Sequence, residues 1–188
     1  MMLSRHFFAF LPVSSALSVT QAGFNQELPF PRRAQDISAC ADLSQPTTFL
    51  LKDITYQKLE QYPTMAIVPN STYLSLEVVN NANGISTGCS AQNVEIGGRW
   101  GDDSNYWYKC VDRSLELDGN EYPLTTGLHV IWNEWKLGVN QSWECNDGTH
   151  VKHIATATLT PSCQETKSAF QYINNCEAPD LEAPATLQ

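Results

Sequence analysis

The chain has 188 residues, 42% hydrophobic and 10% aromatic, with 11 basic residues against 20 acidic ones and a formal net charge of −9. No basic cluster is longer than Arg32-Arg33, which argues against nucleic acid and anionic membranes as partners. Beyond the first 22 residues no apolar run approaches the ~20 residues needed to span a bilayer, so the mature chain is expected to be free and soluble.

In chain order, Leu3–Ala22 joins Arg5 to an apolar run over Phe7–Val19 and closes on Thr20-Gln21-Ala22. That is the pattern of a secretory signal peptide over 1–22, cleaved after Ala22; the run is short for an uncleaved anchor and contains Pro12. The 188 residues less these 22 leave 166, enough for one domain with its own core. Export places Cys40, Cys89, Cys110, Cys145, Cys163 and Cys176 in an oxidising compartment, where an even number reads as three disulfides. Each is expected to add about 2–4 kcal/mol.

Residues 23–35 carry two prolines and no period, and are expected to form an extended N-terminal arm. From there the two-residue period of strands takes over. It runs through Thr47–Leu59, Tyr73–Val79, Gly88–Ile96, Tyr106–Leu117, Gly127–Leu137, Gln141–Cys145 and Val151–Leu159. Asn80–Gly84, Asp118-Gly119-Asn120 and Asn146-Asp147-Gly148 supply turns. Gln164–Asn174, with Ala169, Phe170 and Ile173 at helical spacing, predicts one short C-terminal helix. The acidic, proline-containing tail 177–188 is expected to be disordered. The expected fold is therefore all-β, an antiparallel β-barrel or sandwich, with its single β domain over 36–176.

Catalytic chemistry is sought and not found. Asp102-Asp103 lie in a Gly-rich polar stretch and read as a solvated loop. Glu116 and Asp118 flank a turn and lack the oxygen-ligand pattern of a calcium loop. His150 and His153, three apart on a strand, face opposite sides and cannot chelate one ion; His129 is isolated. No metal and no cofactor is expected. Aromatic residues are the better clue. Trp107 and Trp132 read as core. Trp100 sits within Gly97–Asn105, either as an anchor folded back onto the sheet or as an exposed contact. Trp100, Asp102, Asp103, Asn105 and Tyr106 form the candidate contact loop. Asn70-Ser71-Thr72 and Asn140-Gln141-Ser142 fit the N-glycosylation rule, near predicted strand ends.

Cys89-Ser90-Ala91-Gln92, followed by Trp107-Tyr108-Lys109-Cys110, resembles the hairpin of the fungal secreted family named for the major allergen of Alternaria. Ile154–Leu159, then Cys163 and Cys176, resemble its late strand and final cysteine, so the likeness covers roughly Thr47 to Cys176. The resemblance implies a compact antiparallel β-barrel or sandwich, a fungal secreted protein, a role at a host surface or in allergic sensitisation, and no catalytic activity. It bonds Cys89 to Cys110. Cys163–Cys176 would close the short helical loop, and Cys40–Cys145 follows by elimination, although six cysteines alone allow fifteen connectivities. The long Asn93–Tyr106 loop and Cys145 depart from the family pattern and put covalent dimerisation in doubt; a monomer or non-covalent dimer is expected. The expected function is that of a non-enzymatic effector or allergen-like protein binding a host protein or small aromatic ligand through surface loops. The alternative is a secreted carbohydrate-binding module of the cell wall, with a glycan as partner.

Overall fold

The computed structural model describes residues 45–62, 69–101, 106–117 and 119–188, all within the unit Gln35–Gln188. The signal peptide, the arm, Arg32-Arg33 and Cys40 lie outside the described residues. Among the described residues every regular element is a strand. They are β1 (Thr48–Gln61), β2 (Ser71–Asn80), β3 (Ser86–Ile96), β4 (Arg99–Trp100), β5 (Tyr108–Lys109), β6 (Arg113–Leu117), β7 (Asn120–Ile131), β8 (Lys136–Glu144), β9 (His150–Thr158), β10 (Ser162–Lys167), β11 (Gln171–Ala178) and β12 (Leu181–Leu187).

The period-two pattern explains the layering. In β2, Thr72, Leu74, Leu76, Val78 and Asn80 are buried while Tyr73 faces out; in β8, Val139, Gln141 and Trp143 are buried and alternate with less buried Asn140 and Ser142. All pairings are antiparallel, in the order β4-β3-β2-β1-β12-β9-β8-β7-β5, with β6 also on β7. The sheet curls until its two ends meet, and the seam between β3 and β5 is stitched by side chains more than by a ladder. Cys89 is bonded to Cys110 across it, with Cα atoms 4.4 Å apart. Val111 N donates to Gly88 O (2.9 Å), Tyr108 Oη to Gln92 O (3.0 Å) and Arg113 Nε to Ser86 O (2.8 Å).

On its other edge β1 changes partner half-way. Phe49 and Leu51 pair with β12, whereas Ile54 to Gln61 pair with β11. Asp53, in the left-handed region at φ 50°, marks the bulge where the exchange occurs, and its N–H donates to Asp180 in the β11–β12 connection (3.4 Å).

Two expectations at the C-terminus are corrected. Gln164–Asn174 is not a helix: β10 and β11 form a hairpin around Ser168, whose Oγ accepts from Phe170 N and Gln171 N, and Cys163 is bonded to its cross-strand partner Cys176. All of β10 is exposed, so it carries no apolar alternation for a reader to find. Nor is 177–188 disordered, because β12 bridges β1 and β9. It packs Leu181, Ala183 and Ala185 against the core, and Pro184 stands opposite Thr48 where Ala185 N makes the bond to Thr47 O (2.9 Å). Cys145 is also disulfide-bonded; the proposed Cys40–Cys145 pairing involves a residue outside the described ones.

The main core lies inside the curl, with Phe49, Leu51, Leu74, Val78, Leu128 and Val139 almost fully buried. A smaller cluster of Leu115, Tyr122, Leu124, Trp143, Cys145 and Val151 closes one end. Between the two clusters runs a polar row: Thr126, Gln141 and His153 are neighbours across β7, β8 and β9. Gln141 Nε2 donates to Thr126 Oγ1 (3.2 Å) and Gln141 Oε1 accepts from Asn80 Nδ2 (2.7 Å).

Candidate functional site

The opposite end of the interior is open. Lys58 pairs with Thr72 and Thr72 with Asn93, so one polar row crosses β1, β2 and β3 at the mouth. Behind it stands a group of rings. Tyr56 packs edge-on to Trp135 (centroids 4.8 Å) and tilted on Trp132 (6.2 Å). Trp132 and Trp135 belong to the turn joining β7 to β8, where Trp135 has φ 54°, a conformation that bulky L-residues rarely adopt. Sequence periodicity ran a single strand through this turn, since Trp-Asn-Glu-Trp contains neither Gly nor Pro.

The third wall is the β3–β4 hairpin. Gly97 and Gly98, both at positive φ, form a two-residue turn of the kind that matches strand twist, and they fold Trp100 back opposite Glu95. Asn93 holds the returning strand: its Oδ1 accepts from Gly101 N (3.0 Å) and its Nδ2 donates to Gly101 O (3.1 Å). Trp100, 36% exposed, then lies under the Lys58 ammonium, 5.6 Å from the ring centroid, while Lys58 also pairs with Glu60 at 2.6 Å. Trp100 thus joins both alternatives raised from sequence: it folds back onto the barrel rim and keeps an exposed surface.

These walls enclose a cleft of about 500 Å³, within the range of small-molecule sites, lined by Tyr56, Lys58, Thr72, Asn93, Trp100 and Trp132 among others. Thr72 is the informative residue. It is 5% exposed, it lines the cleft, and its Oγ1 has no hydrogen-bond partner. A buried hydroxyl left unpaired costs about 1–3 kcal/mol. Tyr56 is pushed up to about 12 by burial first, then by Tyr172 and Glu60, so it faces the cleft as a neutral phenol. A second hollow, about 560 Å³, lies beside the closed end; its lining from Ala82, Asn83, Ile85 and β6 contains no ring and no cation.

The candidate contact loop is divided by the fold. Trp100 reaches the cleft, whereas Tyr106 is exposed and packs edge-on to Tyr108 (4.7 Å) away from it. Asp102, Asp103 and Asn105 lie outside the described residues. Trp107 is not core: it is 39% exposed on the outer face, against His129 (5.4 Å) and over Gly138. His150 faces out beside Glu144, and His153 faces in, stacked on Trp143. Among the described residues no three His, Cys, Asp or Glu side chains are placed to hold a metal ion. Asn70 precedes β2, but Asn140 lies in the middle of β8 and not near a strand end. Sequence reasoning missed Tyr56, Lys58 and Thr72 as cleft residues and had Asn93 only as the start of the Asn93–Tyr106 loop. The alternation Ile54-Tyr56-Lys58 was a signal for the first two; Thr72 gave none, since a polar residue on an inner face is visible only once register is known.

No family model matches the chain, and no curated protein matches it. Among solved structures it is similar to the crystal structure of the Alternaria alternata allergen Alt a 1, with 14% identity and a TM-score of 0.42 over 80% of this chain and 95% of that one. A second crystal structure of the same major allergen gives 14% identity and a TM-score of 0.40 over 77% and 97%. Both are structures of the allergen that gives its name to the family the sequence resembles. The functional reading below rests on the geometry of the cleft.

Proposed function

We propose that this chain is an exported, non-enzymatic binding protein of the allergen-like type, whose ligand is a small planar aromatic molecule seated in the mouth of the barrel. The observation that supports this reading is the unpartnered Thr72 hydroxyl, buried yet facing a cleft walled by Tyr56, Trp100 and Trp132. A ligand ring has stacking surfaces on both sides, and an oxygen or N–H on its edge completes the Thr72 hydrogen bond. Lys58 adds a cation at the rim, which favours a ligand carrying a phenolate or carboxylate. Nothing in this chemistry requires bond-making.

Titration of tryptophan fluorescence in the secreted protein tests the reading, using hydroxylated aromatic acids and simple phenols against soluble chitin and glucan oligosaccharides. Saturable quenching by an aromatic compound, weakened tenfold or more in Trp100→Ala, is expected. Absence of saturation with every aromatic compound, or equal affinity in Trp100→Ala, contradicts it. The carbohydrate-binding alternative draws its support from a different feature, the half-exposed Trp107 over Gly138 on the outer face. Retention on insoluble chitin, glucan or cellulose that is lost in Trp107→Ala is its signature.

A further inference from the structure

The two glycosylation sequons are placed in opposite ways by the fold. In Asn140-Gln141-Ser142 the strand alternation turns Gln141 into the core and leaves Asn140 and Ser142 on the outer face of β8. Asn140 makes no side-chain hydrogen bond among the described residues. Its carboxamide lies over Gly127, where a Cβ would come within 2.6 Å of Oδ1, and Gly138 is two residues back along the same face. Gly127 therefore makes room for the carboxamide, while Trp107 covers Gly138 next to it on the same face. Asn70 is engaged throughout: Oδ1 accepts from Gln61 N (2.6 Å), Nδ2 donates to Glu95 Oε2 (2.6 Å), and its backbone carbonyl accepts from Glu95 N (2.9 Å). It staples the ends of β1 and β3 to the start of β2, and its sequon partner Thr72 is buried in the cleft.

We propose that Asn140, and not Asn70, is the glycan-bearing residue of the native protein, and that the glycan covers the outer face carrying Trp107 while leaving the Trp100 cleft open. The donor is a lipid-diphosphate-linked oligosaccharide. Asn140 Nδ2 bonds to the anomeric carbon of its first N-acetylglucosamine, the C1–O bond to the diphosphate breaks with that oxygen carrying the electron pair, and the amide gives up one proton. Transfer takes place on the chain during export, so the folded structure acts by selecting which acceptor tolerates the sugar. An oligosaccharide on Asn70 competes with Glu95 for a part-buried nitrogen; one on Asn140 displaces no bond.

Expression of the full chain in a eukaryotic secretory host, followed by peptide-N-glycosidase treatment and peptide mass mapping, reads the site as an Asn-to-Asp change. One occupied site at position 140 is expected in the wild-type protein, retained in Asn70→Gln and lost in Asn140→Gln. Occupancy of Asn70, of both or of neither overturns the proposal, and the wild-type map alone decides this even where a variant fails to fold. Hydroxyl-radical footprinting before and after enzymatic removal adds a second readout. Labelling at Trp107 should rise at least twofold with Trp100 unchanged; unchanged Trp107 labelling contradicts the placement.

Discussion

Both ends of the barrel interior carry a polar row, and they differ in how its hydrogen bonds are completed. At the closed end Gln141 satisfies Asn80 on one side and Thr126 on the other, and Leu115, Tyr122, Leu124 and Trp143 seal the row from solvent. At the mouth Lys58 turns to Glu60 and Trp100, Asn93 turns to Gly101, and the Thr72 Oγ1 between them has no hydrogen-bond partner. The first arrangement fixes the register of β7 and β8 against β2. The second holds rings around an unpaired hydroxyl that opens on the cleft, where a ligand can complete its hydrogen bond.

Gln141→Leu has the largest expected effect. It leaves Asn80 and Thr126 buried with a lost partner each and lowers unfolding stability by about 3 kcal/mol, read as a shift in urea midpoint, with affinity at the mouth unchanged. Asn93→Ala acts at the other end. Release of Gly101 frees the β3–β4 hairpin, so stability falls by only about 1–2 kcal/mol while affinity for the aromatic ligand drops with it. A titration of each variant beside its melt separates the two ends.

His153 gives the closed end a pH dependence on the acid side. It is 3% exposed, its Nδ1 has no partner, and burial lowers its pKa below the ordinary histidine value. The unfolded chain therefore takes up the proton first. The contribution of neutral His153 is complete above the unfolded pKa of about 6.5 and is lost as pH falls below it, until the folded pKa is passed. Urea melts at pH 7.5 and 5.0 should show a larger loss in wild type than in His153→Gln. Smallest of all is Lys58→Met, whose ion pair with Glu60 is about a third exposed on each side; under 1 kcal/mol of stability is at stake, alongside weaker binding of acidic ligands.

Most of the sheet was legible because its strands are half-buried: Tyr73–Val79 alternates cleanly, and Asn/Gly turns separate its neighbours. What failed did so for identifiable reasons. β10 is exposed on both faces and has no alternation to read, so Ala169, Phe170 and Ile173 suggested a helix where Ser168 makes a hairpin turn. The inward face of β12 is built largely of alanine, and Pro184 with the acidic residues gave it the composition of a disordered tail. Trp107 read as core because such tryptophans are more often core than binding residues; the glycine at position 138 that lets it lie on the outer face comes from another strand. At the site, Trp100 was found from its unusual loop. Thr72 was seen only as the end of a sequon, because an unpaired hydroxyl is a property of register and packing.

Thr72→Val compared with Thr87→Val tests the account most directly. Both threonines are buried with an unpartnered Oγ1, but only Thr72 lines the cleft. Replacement by an apolar side chain of the same shape should leave Tm unchanged or raised in both. Ligand affinity should fall about five- to tenfold in Thr72→Val, the equivalent of about 1 kcal/mol, and stay at the wild-type value in Thr87→Val. Equal affinities in the two variants would contradict the assignment of the mouth as the binding site.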